Sequence, residues 1–550
     1  MDVRHVASSH SSSYSSSIAC ILSSSFVIGL LIFGSVSNGY YYRHTFSAFA
    51  AYTKATVAGG GPTLNDPNLK VELIVKGLDV PTSMAFLGPS DILVLEKNAG
   101  TVVRIVDGEL VKKPLLDVGV AQGVEYGMLG IAIAKNTNSD GSRNAFLYYT
   151  ESDNGDSPHN RLYKYELTSD NNQLINPNLL LDLPAISSST TGENNNHNGG
   201  KVIIGPDNNV YTVIGDVGGH QGQAQNVKNG DPLDGTSGIF RITQDGQAVA
   251  DNPLVGSTSG HSSSSSKHGK GGGEGGSSSA FLNYYYAYGI RNSFGMDFDP
   301  VTGKLWDTEN GPTIGDEINL VNAGFNSGWI KIQGLAHGGG SDGNGGHRNP
   351  AKGLVSFGGK GVYRDPEFVW SQPIGPTALK FLNSAKLGSQ YQNDMFTGDV
   401  NTGNLYHFKL NPTRDGLLLS GPLADKVANT PEESQEAALG HGFGTITDLQ
   451  VGPDGYLYVL TFAGNIYRIV PLHPISNNGN NGKELESTSN TPSASSTINK
   501  NNIPSSSNNQ QPTPNQQHQQ KTSSNESSNN NVGVVIGGII PEHTPSRIIK

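Results

Sequence analysis

The sequence predicts an all-β fold, a six-bladed β-propeller built from four-stranded antiparallel blades. First, one unit recurs between about residues 70 and 472: an alternating strand, a turn containing Pro, Gly or Asp, and a second alternating strand. Second, a closing strand with alternating apolar and basic residues follows most copies of the unit. Antiparallel sheets have this alternation, and radial packing of such sheets limits the number of exposed strand edges.

The strand-turn-strand unit occurs in four clear copies and two weaker ones with longer turns. The clear copies span 84–96, 202–216, 296–309 and 449–461, and the weaker copies span 128–150 and 378–399. Closing strands begin at Gly100, Asn160, Gly238, Gly403 and Gly464. Six blades of roughly 45 residues, enlarged by insertions, account for this part of the chain.

The remaining segments are predicted to lie outside the propeller. The pattern of residues 1–37 predicts a signal peptide or an N-terminal membrane anchor, because residues 18–36 are mostly apolar and uncharged. Residues 38–67 read as a linker, the propeller occupies 68–473 with a low-complexity loop at 256–279, and 474–550 form a disordered tail rich in Asn, Ser and Gln. The expected location is extracytoplasmic: either secreted, or attached through 18–36 to the outer face of the cell membrane.

Charge and cysteine content exclude some classes of function. The formal net charge is −11 and the basic residues form no cluster, so nucleic acid is not an expected partner. The single cysteine, Cys20, lies in the apolar N-terminal stretch, so the propeller has no disulfide and no thiolate to offer a metal.

Two polar segments directly precede alternating strands at equivalent positions of successive clear units. One, 193–200, contains Asn196 and His197, and the other, 288–295, contains Arg291 and Asn292. Histidine is the natural proton acceptor near neutral pH, and an arginine can stabilise a developing oxyanion. Alternatively, the histidine is a hydrogen-bonded structural residue and the arginine forms a salt bridge to a neighbouring blade.

Two further segments carry candidate metal and substrate ligands. In 308–329, the Gly311-Pro312 turn exposes backbone carbonyls a few residues before Asp316 and Glu317, and Ca²⁺ prefers oxygen ligands of both kinds. An acidic surface turn is the alternative. The segment 123–130 contains Glu125, which by itself also fits a solvated carboxylate.

These four segments, in this order on this repeat, resemble the quinoprotein glucose/sorbosone dehydrogenase family, the soluble aldose dehydrogenases that use pyrroloquinoline quinone. The resemblance rests on three motifs read together, H-x-G-G-K-x-x-x-G-P-D, G-x-R-N and G-P-x-x-G-D-E-I-N. It extends from about residue 71 to residue 470, some three quarters of the chain.

The resemblance implies oxidation of an aldose sugar at the anomeric carbon to the lactone, with electrons passed on to an acceptor that the motifs do not specify. It implies that His197 takes the proton of the anomeric hydroxyl while hydride passes to the quinone. It further implies that Arg291 and Asn292 bind the quinone, that Trp370 flanks its plane, and that Glu125 and Asn196 lie near the sugar. Active-site Ca²⁺ would bind the carbonyls of Gly311 and Pro312, with Asp316 and Glu317 close by.

The sequence also departs from the family. Positions where its glucose oxidisers carry basic residues toward the quinone carboxylates are here Asn401, Thr445 and Thr447. A non-catalytic propeller that binds a carbohydrate or a protein on the same face is therefore the main alternative. A metal-dependent hydrolase such as a lactonase is a further one, with Glu125, Asn196 and Asn292 as its candidate ligands.

Overall fold

The computed structural model describes residues 60–152, 157–185, 196–218, 226–227, 232–257, 279–336 and 351–473. The predicted N-terminal segment 1–37, most of the predicted linker, most of the 256–279 loop and the predicted tail 474–550 lie outside these residues. Across the described ranges, no helix reaches the length and apolar character that crossing a bilayer requires.

The first part of the chain forms two leading strands and the first two blades. The strands are β1 (Thr63–Leu64), β2 (Leu69–Val75), β3 (Pro81–Gly88), β4 (Asp91–Glu96), β5 (Thr101–Val106), β6 (Glu109–Leu110), β7 (Leu116–Asp117), β8 (Met128–Thr137), β9 (Arg143–Glu151), β10 (His159–Leu167) and β11 (Leu174–Pro184). Blade 1 contains β3 to β7, and blade 2 contains β8 to β11.

The middle part forms blades 3 and 4. Its elements are β12 (Val202–Ile204), β13 (Val210–Ile214), β14 (Gly238–Ile242), α1 (Ser279–Leu282), β15 (Tyr285–Tyr288), β16 (Gly295–Phe298), β17 (Leu305–Glu309), β18 (Asp316–Val321), β19 (Phe325–Asn326), a 3₁₀ turn (Phe357–Gly359), β20 (Val362–Tyr363) and β21 (Phe368–Trp370). Blade 3 contains β12 to β15 and adds β19 and β20 in parallel, whereas blade 4 contains β16, β17, β18 and β21.

The last part forms blades 5 and 6. Its elements are β22 (Pro376–Phe381), a 3₁₀ turn (Ser389–Tyr391), β23 (Met395–Asp399), β24 (Leu405–Phe408), a 3₁₀ turn (Gly421–Asp425), β25 (Val427–Ala428), α2 (Pro431–Glu436), β26 (Ala438–His441), β27 (Ile446–Val451), β28 (Leu457–Thr461) and β29 (Asn465–Pro471). Blade 5 contains β22, β23, β24 and β26, blade 6 contains β27 to β29, and β25 extends blade 4.

The six sheets close into a ring, which confirms the predicted all-β propeller. The first strands of successive blades contact one another in order, from β3 through β8, β12, β16 and β22 to β27, and β27 returns to β3. The leading strands complete the last two blades, since β2 pairs with β29 and β1 pairs with β26. Strand β1 lies inside the predicted linker and forms the edge of its sheet. Several blades also exceed the predicted four strands.

Contacts with carboxylates explain the alternating basic residues of the closing strands. In four blades the arginine or histidine on the third strand reaches a carboxylate in, or directly after, the turn between the first two strands. The pairs are Arg104–Asp91 at 2.7 Å, Arg241–Asp207 at 2.7 Å, His407–Asp394 at 2.8 Å and Arg468–Asp454 at 3.2 Å. Each pair fixes the outer turn of its own blade, so the repeat carries its own cross-strand contact.

Apolar side chains fill the spaces between neighbouring blades. Phe146 of blade 2 and Phe240 of blade 3 are fully buried in one such cluster, and Trp306 of blade 4 packs with Phe381 of blade 5 in another. This packing fixes the blades relative to one another, and it thereby fixes the loops that precede the first strands.

Candidate functional site

Three segments from blades 3 and 4 meet at Gly215. The Asp216 amide donates to the carbonyl of Arg291 at 2.8 Å, and the Val217 amide donates to the carbonyl of His197 at 3.3 Å. A Cβ atom on Gly215 would lie 2.5 Å from the Arg291 oxygen and 2.6 Å from the His197 oxygen. Only a residue without a side chain allows this approach, so Gly215 brings the predicted histidine and arginine segments together.

His197 forms a hydrogen-bonded chain with Asp216 and Trp329. Its Nδ1 hydrogen-bonds to Asp216 Oδ1, and Trp329 Nε1 donates to Asp216 Oδ2 at 2.8 Å. Burial raises the pKa of Asp216, but the hydrogen bond from His197, the charge of Arg291 and the hydrogen bond from Trp329 outweigh it, so the pKa is lowered overall. An ionised Asp216 keeps the proton on Nδ1 and leaves Nε2 as the accepting nitrogen.

Arg291 spans the Gly-Pro turn. Its Nη1 donates to the carbonyls of Asn310 at 2.8 Å and Gly311 at 3.0 Å, and its guanidinium lies 5.5 Å from the Trp329 ring centroid. The Arg291 Nε atom is buried and has no hydrogen-bond partner among the residues that the structure describes. Burial lowers the pKa of Arg291, although the charges of Asp216 and Glu125 oppose that effect. A buried cation with a spare donor is a suitable contact for an anionic oxygen.

Glu125 lies beside these residues and connects blades 2, 3 and 4. Its Oε2 accepts from the Asn198 amide at 3.0 Å and from Asn292 Nδ2 at 3.2 Å. Lys97 fixes the same loop, because its Nζ donates to the carbonyl of Gly123 at 2.7 Å. Burial lowers the pKa of Lys97 to about 8, with the charge of Glu125 opposing the shift. The structure thus brings Glu125, Asn292, Arg291 and His197 together in one region, and the roles assigned to them stay predictions.

Asn196 directly precedes His197 and is half-buried, and its carbonyl accepts from the Gly218 amide at 2.9 Å.

Asp316 acts as an anchor for backbone amides. Its Oδ1 accepts from the Gly311 amide at 2.7 Å, and its Oδ2 accepts from the amides of Ile374 at 2.7 Å and Gly375 at 2.8 Å. Burial raises its pKa to about 6, although these hydrogen bonds oppose the shift. The carboxylate therefore holds the Gly-Pro turn against the loop before blade 5.

Glu317 belongs to a different, buried group of polar side chains between blades 3 and 4. Glu309 faces Glu317 across β17 and β18, and Asp307 faces Asn319. Within the described ranges, both Asp307 carboxylate oxygens and Asn319 Oδ1 are buried without a hydrogen-bond partner. Burial raises the pKa values of Asp307 and Glu317 well above their usual range and that of Glu309 to about 7.

No group of three or more His, Cys, Asp or Glu side chains in the described part of the chain is arranged to hold a metal ion. A metal here would therefore need backbone carbonyl or amide oxygens among its ligands.

Trp370 does not lie where the sequence predicted. Its side chain is 1% exposed and packs in the apolar core between blades 4 and 5 against Phe368, Tyr406 and Phe408. The prediction that it flanks a cofactor is wrong, because the ring has no accessible face. Trp329, beside Arg291 and Asp216, is the tryptophan in contact with the site.

Three neutral residues stand where the resemblance led us to expect basic ones, and they lie on blades 5 and 6. Asn401 is exposed, and Thr445 donates from Oγ1 to the carbonyl of Val400 at 3.3 Å. Thr447 bonds within its own blade, to the carbonyl of Leu460 at 3.4 Å. These positions contribute hydrogen-bonding groups without positive charge.

Sequence reasoning missed Asp216, Trp329, Glu309 and Lys97. Asp216 is the last residue of the repeat unit 202–216, and Trp329 is the last residue of the polar segment 308–329. Their contacts with His197 and Arg291 depend on pairing between blades, which no local pattern encodes.

The chain matches the model of the Glucose / Sorbosone dehydrogenase family over residues 78–266 and 276–468, more than half its length. It is 24% identical over 412 residues to aldose sugar dehydrogenase YliI of Escherichia coli K12, covering 73% of this chain and 93% of that protein. It is 26% identical over 294 residues to quinoprotein glucose dehydrogenase B of Acinetobacter calcoaceticus, covering 48% and 53%.

A solved structure has the same fold. The PQQ-bound aldose sugar dehydrogenase of Streptomyces coelicolor superimposes with a TM-score of 0.51 at 21% identity, covering 74% of this chain and 99% of that one. At this identity the likeness supports the propeller architecture alone.

Proposed function

The chain belongs to the Glucose / Sorbosone dehydrogenase family, and on this premise we propose that it oxidises an aldose sugar at the anomeric carbon to the lactone. Family membership confirms the resemblance and the oxidoreductase class that the sequence predicted. The observation that carries the proposal is the series of hydrogen bonds from His197 through Asp216 to Trp329, beside the buried guanidinium of Arg291.

His197 is the general base in this proposal. Asp216 holds the proton on Nδ1, so Nε2 is free to accept the proton of the anomeric hydroxyl. As that proton leaves, the O–H electron pair forms the lactone carbonyl, and the C–H bond is lost as hydride. The imidazolium that results is stabilised by the buried carboxylate of Asp216.

Arg291 fits the carbonyl edge of a quinone, because its buried Nε has no partner among the described residues and can donate to a quinone oxygen. Asn292 Oδ1 is also buried without a partner among those residues, but it is an acceptor and would bind an N–H group of the ligand. These side chains would hold pyrroloquinoline quinone, as the names of the similar proteins suggest. When bound, this cofactor supplies a two-electron acceptor for the hydride.

Calcium is part of the proposal, with a revised ligand set. Two places offer oxygens: the turn has the carbonyls of Gly311, which already accepts from Arg291 Nη1, and of Pro312. Separately, Glu317 lies near the oxygens of Asp307 and Asn319 that have no partner among the described residues. Unpartnered buried oxygens fit a hard cation, which would also offset the charge of the buried carboxylates. Asp316 is a weaker candidate, since three backbone amides already occupy it.

We further propose an extracytoplasmic location, secreted or membrane-attached, on the basis of the apolar N-terminal stretch at 18–36.

The test combines cofactor titration with turnover. Purified protein is titrated with pyrroloquinoline quinone and Ca²⁺, and aldose oxidation is followed with an artificial electron acceptor. Expected are saturable quinone binding, sugar-dependent turnover, and a melting temperature that Ca²⁺ raises and a chelator lowers. No quinone-dependent turnover would refute the proposed activity, and melting unaffected by Ca²⁺ and chelator would refute the calcium site.

The second candidate, a non-catalytic propeller that binds a carbohydrate or protein, is favoured by the neutral Asn401, Thr445 and Thr447. Carbohydrate binding without quinone binding in the same titration would support it.

A further inference from the structure

Lys201 forms a buried ion pair that crosses the centre of the propeller. Its Nζ donates to Asp448 Oδ1 at 2.5 Å, and the two side chains are 9% and 1% exposed. Lys201 immediately precedes β12, the first strand of blade 3, and Asp448 lies in β27, the first strand of blade 6. In a ring of six blades, blades 3 and 6 face each other, so this pair spans the central channel.

Asp448 also binds blade 1. Its Oδ2 accepts from the Met84 amide at 2.9 Å and from Ser83 Oγ at 3.2 Å, both in β3. One carboxylate therefore joins blades 1, 3 and 6. Blades 1 and 6 are the neighbours at which the ring closes.

The backbone between His197 and Lys201 adopts unusual conformations. His197, Gly199 and Gly200 have φ values of 61°, 59° and 107°. A Cβ on Gly199 would lie 2.5 Å from the Val213 oxygen, and one on Gly130 would lie 2.0 Å from the Gly200 oxygen. A left-handed backbone at a histidine persists only where its surroundings impose it.

The two ends of this strained segment are each fixed by a buried carboxylate. Asp216 binds the His197 ring at one end, and Asp448 binds Lys201 at the other. We propose that Lys201, held by Asp448, is a positioning residue that maintains the backbone of His197 and so aims its imidazole. The inference rests on the proposed function for the role of His197, but the positioning itself can be measured without turnover.

The test uses Lys201→Met, which keeps a long side chain and removes its charge. Amide hydrogen exchange of residues 198–200 should accelerate at least tenfold. With quinone and sugar, kcat should fall at least tenfold while KM for the sugar changes less than about twofold, because the base is displaced and the binding groups remain. Lys201→Arg keeps the positive charge, so its exchange rates and kcat should lie closer to those of the unmodified protein than to those of Lys201→Met.

Lys380→Met is the matched control. Lys380 pairs with Asp297 at 3.2 Å and joins blades 4 and 5, with side chains 22% and 14% exposed. Its loss should lower the melting temperature but leave the exchange of 198–200 and kcat within about twofold of the unmodified protein. If Lys201→Met does not fold, Asp448→Asn is assayed in the same way.

Exchange and kcat unchanged in a folded Lys201→Met or Asp448→Asn protein would overturn the inference. Failure of both variants to fold would also count against it, because the pair would then be a determinant of ring closure only. An unmodified protein without turnover would instead refute the proposed function, and the exchange comparison would still decide the positioning role.

Discussion

Asp216→Asn tests the proposed base most directly, because the structure dictates how the amide must sit. Trp329 Nε1 is a donor and needs an acceptor, so the carbamoyl oxygen of the new side chain faces Trp329. The NH₂ group then faces His197 Nδ1, which must become the acceptor. The imidazole proton moves to Nε2, and the nitrogen proposed to accept the sugar proton is blocked.

The expected loss follows from this tautomer change. With the accepting nitrogen protonated, general-base catalysis is removed, and kcat should fall by roughly 10² to 10⁴. Sugar KM and quinone affinity should stay within about threefold, since neither the Arg291 nor the Glu125 contacts change. Steady-state kinetics and quinone titration measure these quantities.

A second substitution supplies the control. In the Asp216→Asn, Trp329→Phe double variant nothing donates from position 329, so the amide can turn and accept from Nδ1. Adding Asp216→Asn to Trp329→Phe should therefore lower kcat by a smaller factor than adding Asp216→Asn to the unmodified protein. A single variant with near-normal kcat, or a double variant that recovers nothing, would refute the assigned tautomer.

Three other predictions concern residues around the site. Gly215→Ala should lower kcat at least tenfold and cost roughly 1–3 kcal/mol of folding free energy, because its Cβ would lie 2.5 Å from the Arg291 oxygen; a fully active, equally stable variant would contradict this. Trp370→Phe should lower the free energy of unfolding by roughly 1–3 kcal/mol and leave quinone affinity unchanged, and a selective loss of quinone binding would restore the original cofactor role. Burial lowers the pKa of Lys97 in the folded state from 10.5 to about 8, so between these values the unfolded chain binds more protons than the folded one. The free energy of unfolding should therefore rise with pH across this range, by up to about 3 kcal/mol. Denaturant unfolding at pH 7.5 and 10 should show this gain for the unmodified protein and not for Lys97→Met.

The propeller was predictable from the sequence because its evidence is local. Each blade repeats the same alternation and the same turn, and the turn carboxylate pairs with the closing-strand basic residue of its own blade. Ring closure by β1 and β2 was not predictable, since Thr63 pairs with His441 across most of the chain. A two-residue strand such as β1 has no periodicity to detect.

The site was partly predictable for a similar reason. His197, Arg291 and Glu125 lie in loops denser in polar residues than a turn requires, and the ring of blades brings those loops together. Trp370 was misplaced because an aromatic residue at a strand end fits a core position and a cofactor contact equally well. Only its packing against Phe368 decides between them.

If the proposed quinone and Ca²⁺ both bind, the distribution of charge around the site would make the two binding equilibria interdependent. The cations near the site, Lys97 and Arg291, lie on blades 1 and 4 and already bind backbone carbonyls, whereas Asn401 and Thr445 on blades 5 and 6 are neutral. A polyanionic cofactor that lacks these partners depends more strongly on the metal to offset its charge. Because such coupling is reciprocal, saturating quinone would then raise the affinity for Ca²⁺ by the same factor by which Ca²⁺ raises the affinity for quinone. Under the proposed function, the positive charge that side chains do not supply at the neutral positions would therefore come from the metal.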